Sequence, residues 1–253
     1  MNLKDRDVRR ETGQFLAEGE HVVRRAFLSG LRVCSVLVIE SKVDRVQVMI
    51  AEAGVGGVEV LACSKDVIER AVGFQMHQGI IAACEPPTPR ELSEVLGGDS
   101  SAETIVVCPE ITNVDNLGLL VRVCAGLGVK AMVLGPRCAD PWYRRAVRVS
   151  MGAVFVMPMV RSEDITADLD RLRGEFGYEL LATVIDADAE PLRVVEPLPG
   201  QRRAILLGSE GYGLPCELVS RSDRKVRIPM HADIDSLNVA VAAGIVIHHV
   251  CGP

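Results

Sequence analysis

TIVVCPEITNVDNLGLLVRVCAGLGVKAMVL, residues 104–134, decides the fold. Thr104–Cys108 is an apolar run without alternation. A polar loop follows, then helical spacing over Leu117–Leu127, then a second unbroken apolar run at Ala131–Leu134. Strands that are apolar on both faces belong to a parallel sheet covered by helices on each side. The alternation continues through a helix at Trp142–Val149, a strand at Val154–Pro158 and a helix at Glu163–Phe176. Strands at Glu179–Val184, Ala204–Leu207 and Val226–Ile228 and an apolar helix at Ser236–Val250 complete it. The fold class is α/β.

Upstream, residues 8–84 read as a separate small α/β unit. Glu18–Ser29 has helical spacing, with Val22, Val23, Ala26 and Phe27 on one face. Val33–Ile39 reads as a strand, Val43–Ala53 as a helix and Val58–Ala62 as a strand. Ser64 is placed to cap a helix through Val72, and Gly79–Cys84 is a last strand. The Pro, Gly and Ser pairs of 85–103 mark a linker holding a short helix at Glu91–Leu96. The expected division is 1–85, a linker at 86–103, and 104–253.

Composition narrows the function. Hydrophobic residues make up 48% of the 253, so the chain buries a core; aromatics are only 4%, so Val, Leu, Ala and Ile must build it. No apolar run approaches the roughly 20 residues of a membrane span, and no membrane partner is expected. The charged N-terminal segment MNLKDRDVRRETG does not read as a signal peptide. Eight scattered cysteines without CxxC pairs read as buried thiols of a reducing cytoplasm, and no metal site is expected. The net charge of −6 is unusual for a nucleic-acid binder, but basic residues cluster locally. The clusters are Lys4, Arg6, Arg9 and Arg10; Arg24, Arg25 and Arg32; and Arg144, Arg145 and Arg148.

Three segments carry polar or glycine residues at the carboxyl ends of strand-like runs, where open α/β sheets gather ligands. In NVDNLGLLVRVCAGLGV (113–129), Asn116 follows the strand and Arg122 is expected to be buried in an apolar helix. A buried guanidinium needs an anionic partner, a carboxylate of this chain or a ligand. In AILLGSEGYGLP (204–215), Gly208, Gly211 and Gly213 allow close backbone approach, as a bound ligand or simply a tight turn would require. The order is not that of a dinucleotide fingerprint, which argues against a nicotinamide-dependent enzyme, and there is no P-loop. Glu210 sits among the glycines, within reach of backbone donors or Asn116. In RIPMHADIDSLNVAVAAG (227–244), Ser236 is expected to cap the last helix, with Asn238 in its first turn, in a ligand-facing or purely capping role. Ala240, Ala242, Ala243 and Gly244 would permit a very close helix contact.

Taken in order, NxGxxxR, LGSEGxGL and IPMxxxxxSLNVAVA resemble the three motifs of the SpoU/TrmH family of RNA 2′-O-ribose methyltransferases. DPWYRRAVRVSMGAVFVMP (140–158) is similar to the segment after the first motif. TGQFLAEGEHVVRRAF (12–27) and MHQGIIAA (76–83) look like the ends of the family's substrate-binding domain, itself similar to RNA-binding ribosomal proteins. Val114-Asp115 and His231-Ala232 depart from the usual pattern, at the first-motif loop and at the edge of the cofactor pocket.

The resemblance implies a deep trefoil knot in the C-terminal domain, a rare exception to unknotted topology. It also implies S-adenosyl-L-methionine as cofactor, held near Thr183, Leu207, Gly208, Ile228, Met230 and Leu237. Arg122, Asn116, Glu210, Ser236 and Asn238 would be the catalytic set. Arg122 would be either a general base or the group that orients phosphate and hydroxyl. The N-terminal domain implies ribosomal RNA in preference to transfer RNA, and the family implies a homodimer. Arg9, Arg10, Arg24, Arg25, Arg32, Arg144, Arg145 and Arg148 are the candidate RNA contacts. A non-catalytic RNA-binding protein of the same fold is the competing expectation.

Overall fold

The computed structural model describes residues 9, 11–72, 78–97, 103–196, 200–231 and 236–251. Lys4, Arg6 and Arg10 of the first basic cluster lie outside them, as do residues 98–102 of the linker and Ala232 of the third motif. The chain forms two compact units, one from residues 1–88 and 140–156, the other from 89–139 and 157–253.

The first unit is built on β1 (Phe15–Glu18), α1 (Glu20–Leu28), β2 (Val33–Ile39), α2 (Val43–Ala53), β3 (Glu59–Cys63), α3 (Lys65–Val72) and β4 (Ile80–Cys84). Its strand order is β1-β4-β2-β3, with β4 antiparallel to both neighbours and β2 parallel to β3. Val22, Val23, Ala26 and Phe27 of α1 and Val46 and Met49 of α2 are buried, as their helical spacing requires. Leu16, Ile81 and Ile68 form a second small cluster, against which Leu37 and Ile39 pack. β1 escapes the sequence reading, which runs a helix from Glu18. The helix starts later because Gly19, at φ 98°, turns the chain between strand and helix.

Residues 140–156 pack into this unit. Trp142 and Phe155 lie against the Phe15 ring, at centroid distances of 4.9 and 5.9 Å. Arg144 pairs with buried Glu18, and Arg25 Nη1 donates to the Met151 carbonyl at 2.6 Å. Arg9 Nε lies 3.2 Å from Asp140. The expected strand at Val154–Pro158 is absent; Ala153–Phe155 form a 3₁₀ turn after α6 (Arg144–Val149). Positive φ at Met151 and Gly152 reverses the chain there; Phe155 joins an aromatic cluster instead of a sheet, and Val154 is buried next to it in sequence. A short apolar run carries no period to separate the two outcomes.

The second unit holds α4 (Leu92–Leu96), β5 (Thr104–Cys108), α5 (Val114–Gly126), β6 (Ala131–Leu134), β7 (Met159–Arg161), α7 (Ile165–Gly174) and β8 (Glu179–Thr183). After the short β9 (Glu190–Pro191) come β10 (Arg203–Leu206), α8 (Cys216–Arg221), β11 (Arg224–Arg227) and α9 (Val239–Cys251). All strands are parallel, in the order β7-β6-β5-β10-β8-β11-β9. One face is buried by Leu92, Val95 and Leu96 of α4, Ile165, Leu169 and Leu172 of α7, and Leu218 of α8. α5 and α9 pack on each other and bury Leu117, Leu120, Val121, Ala243, Val246 and Ile247. The approach of α9 is ordinary: a Cβ on Gly244 would meet Val123 Cγ1 at 3.6 Å, so the glycine is not required for packing.

Late-arriving β10 sits between β5 and β8, so strands after β5 leave in both directions. The crevice at the carboxyl ends of β5 and β10 is therefore the switch point where such sheets bind ligands. Gly135, after β6, tightens this edge: its amide bonds the Cys108 carbonyl at 2.8 Å, and a Cβ would lie 2.2 Å from the Pro109 carbonyl oxygen. Gly135→Ala is expected to cost about 1–3 kcal/mol of stability by overpacking, measured by urea denaturation, with the loop after β5 the segment displaced.

Candidate active site

Three loops meet at the carboxyl edge of the second unit. After β5, Asn113 caps α5, its Oδ1 accepting from the amides of Asp115 at 2.8 Å and Asn116 at 3.4 Å. This fixes Asn116 in the first turn. Asn116 Nδ2 donates to Glu210 Oε1 at 2.5 Å, and Asn116 Oδ1 accepts from Asn238 Nδ2 at 2.9 Å. One amide thus joins the first loop to the two others. The sequence reading passes over Asn113, although an Asn at a strand-to-helix junction is a standard capping signal.

The loop after β10 is a tight turn. Ser209 and Gly213 exchange both backbone hydrogen bonds at 3.0 Å, and Ser209 Oγ accepts from the Tyr212 amide at 3.3 Å. Gly208 is the glycine the turn needs, because a Cβ there would lie 2.3 Å from the Gly213 carbonyl carbon. Gly213 takes φ 67°, while Gly211 has open space around it. Thr183, at the end of β8, donates its hydroxyl to the Leu206 carbonyl at 2.7 Å and so ties the neighbouring strand to this loop.

Asn238, not Ser236, caps the last helix. Its Oδ1 accepts from the Ala240 amide at 2.9 Å, and α9 begins at Val239. Ser236 is exposed and makes no hydrogen bond among the described residues. Asn238 therefore spends its oxygen on the helix and its amide on Asn116, which leaves a single geometry for the side chain.

Arg122 departs from the expectation of burial. It is exposed on α5 and has no hydrogen-bond or ion-pair partner among the described residues. Six residues separate it from Asn116, so the two side chains leave the helix in different directions. The polar chain of Asn238, Asn116 and Glu210 is assembled without it.

Leu207, Gly208, Ile228, Met230 and Leu237 are half-buried or buried along the same edge. The amides of Gly208, Ile228 and Met230 have no hydrogen-bond partner among the described residues. Backbone donors at a strand's carboxyl edge can serve water or a bound ligand. Together with the β10 loop, which tolerates no Cβ at Gly208, they fit a flat polar ligand held by backbone. Cys108 lies just behind the edge. Its burial pushes the thiol well above the usual range, so it is packing rather than a nucleophile.

The candidate RNA contacts fall into distinct states. Arg24 pairs with Glu52 and Arg32 with Glu85, both at exposed positions. Arg9 and Arg25 bond to Asp140 and to the Met151 carbonyl, and Arg144 is held by Glu18, so these three serve the packing of residues 140–156. Arg145 and Arg148 are exposed on α6, with Arg148 3.9 Å from Glu18.

Comparison with known proteins places this geometry. Residues 103–248 match the SpoU rRNA methylase family, and residues 1–82 match an MRM3-like substrate binding domain. An uncharacterized tRNA/rRNA methyltransferase of Mycobacterium bovis is 37% identical over 98% of this chain and 85% of its own length. A 23S rRNA (guanosine(2553)-2′-O)-methyltransferase of Bacillus subtilis is 27% identical over 99% of this chain and 93% of its own. The structure of an AdoMet-bound rRNA methyltransferase from Sinorhizobium meliloti superposes with a TM-score of 0.80 at 27% identity, covering 96% of this chain and 88% of that one.

Asn238→Ala is expected to lose about 1 kcal/mol of stability, while Ser236→Ala is expected to leave the denaturation midpoint unchanged. Paired urea titrations of the two variants check this.

Proposed function

The chain belongs to the SpoU rRNA methylase family, and on that premise we propose that it uses S-adenosyl-L-methionine to methylate a ribose 2′-hydroxyl of structured RNA in the cytoplasm. The observation that carries this reading is the hydrogen-bonded chain Asn238–Asn116–Glu210, which draws all three motif loops together at the switch point. Ribosomal RNA is the favoured substrate, because residues 1–82 match a substrate binding domain and the Bacillus subtilis relative is named for 23S rRNA. Transfer RNA is the second reading, since the mycobacterial relatives are named for either RNA.

The cofactor's residues would be Thr183, Leu207, Gly208, Ile228, Met230 and Leu237, with the open amides of Gly208, Ile228 and Met230 as donors to its polar edges. When bound, it supplies an electrophilic methyl group on a sulfonium. The protein's contribution is position and electrostatics. Asn116 and Asn238 lock the loops, Glu210 anchors the β10 turn, and Ser236, exposed two positions before Asn238, is the remaining member of the set. Arg122, without a partner among the described residues, takes an RNA phosphate and holds the 2′-hydroxyl in line. A guanidinium keeps its proton in water, which favours the orienting role over the general base.

The substrate-binding domain is assigned to 1–85, the linker to 86–103 and the methyltransferase domain to 104–253, with its deep trefoil knot over residues 200–253. Arg24, Arg32, Arg145 and Arg148 are the exposed phosphate contacts assigned to the first unit. The exposed pairs Arg24–Glu52 and Arg32–Glu85 are worth about 0–1 kcal/mol each and exchange readily for RNA phosphates.

A homodimer forms through a groove of about 920 Å³ whose walls include Leu119, Val123, Val241, Ile245 and His248. Leu119, Val241 and Ile245 are 38, 52 and 41% exposed there. Large apolar side chains gathered in one groove mark an interaction surface.

Three measurements test these statements. Arg122→Ala is expected to abolish methyl transfer while cofactor affinity by calorimetry stays within a few-fold; a near-normal rate would remove Arg122 from the site. Val241→Asp is expected to convert a dimer to monomer in sedimentation velocity. Mass-spectrometric mapping of ribose methylation in RNA from a strain lacking the protein identifies the target, and unchanged methylation sinks the enzymatic reading.

A further inference from the structure

Tyr212 stands out of the loop that carries Glu210. It is 95% exposed, whereas Phe15, Phe27, Phe155 and Tyr178 are buried and Trp142, Tyr143 and Phe176 half-buried. Among the described residues its side chain has no ring contact and no hydrogen bond. The exposure does not come from a loose loop. The Ser209–Gly213 backbone pair closes the turn, Ser209 Oγ holds the Tyr212 amide, and Glu210, two positions earlier, is tied to Asn116. The base of the turn is close-packed, with Gly208 near enough to Gly213 to exclude a Cβ. A rigid support thus carries one bare aromatic ring beside the polar chain of the site.

We propose that Tyr212 is a stacking platform for an unpaired nucleobase flanking the ribose that is methylated. The proposal rests on the RNA 2′-O-methyltransferase reading and adds a substrate-positioning contact to it. Sequence-specific RNA recognition works on splayed bases that stack on aromatic side chains. Such stacking tolerates any base because every base has a π-face. Phosphate is the wrong ligand for this position, since Tyr212 offers no cation and the carboxylate of Glu210 lies on the same turn. The phenol hydroxyl, unpaired within the described residues, can additionally bond a base edge.

Tyr212→Trp, Tyr212→Ala and Tyr212→Phe in the full chain test the proposal, with an in vitro transcript of 23S ribosomal RNA as probe. The indole fluorescence of the Tyr212→Trp variant, taken as the difference from wild type, is expected to be quenched by the transcript. Tyr212→Ala is expected to lower kcat/KM about ten- to one-hundred-fold, with Tyr212→Phe close to wild type. Cofactor affinity and sedimentation should not change in Tyr212→Ala. Full activity of Tyr212→Ala overturns the proposal, as does a Tyr212→Phe loss as deep as that of alanine. A fall in cofactor affinity or dissociation into monomers also overturns it, by assigning the ring to the cofactor or to a second copy. Quenching without methyl transfer by the wild type upholds the stacking contact and defeats the enzymatic reading; absence of both defeats both.

Discussion

The placement of β10 between β5 and β8 is the constraint on which the site depends. Its ladder to β5 continues past the strand end, with the Leu207 amide on the Val107 carbonyl at 2.9 Å. That hydrogen bond brings the Gly208 turn alongside the loop that leaves β5. Only then can Glu210 reach Asn116, which lies 94 residues earlier in the chain. Asn113 holds the other side by fixing the first turn of α5, and Asn238 closes the third side from the start of α9. Each of these three asparagines combines a capping or bridging bond with a place at a strand's carboxyl end. Stability and site geometry are therefore the same set of bonds here, and a change to any one is felt in both.

Much of this is legible in the sequence because the parallel strands are unbroken apolar runs. Thr104–Cys108, Ala131–Leu134, Glu179–Val184 and Ala204–Leu207 fall within a residue of the observed bounds. What fails is decided by packing partners far along the chain. Val154–Phe155 carries the same apolar signal as a strand, yet the Phe15 ring claims it. Glu18 reads as helix by composition, yet its carboxylate is buried against Arg144 in β1. Asn238 and Ser236 are both good caps, and the choice between them is set by the partner amide on Asn116, which no local pattern encodes. Arg122 reads as buried because its neighbours are apolar. The helix is apolar on two sides, one facing the core and one lining the groove at Leu119 and Val123, and Arg122 leaves at an exposed position.

The charge distribution of an acidic chain sorts the arginines by what burial does to them. Glu18 is 7% exposed, and a carboxylate so placed is tolerable only with a cation beside it. Arg144 is committed to that task, with Arg148 a more distant second cation at 3.9 Å. Arg25 is committed in a milder way, through a carbonyl. Arg24 and Arg32 face carboxylates across solvent, where each pair holds weakly and is screened by salt. Sequence clustering groups Arg25 with Arg24 and Arg32, and Arg144 with Arg145 and Arg148, without separating these roles. Burial separates them into residues that build the first unit and residues that a polyanion can recruit. An overall charge of −6 is compatible with RNA on the proposed reading: non-specific attraction is weak, and a few exposed guanidinia on phosphates, together with contacts to bases, would supply the affinity.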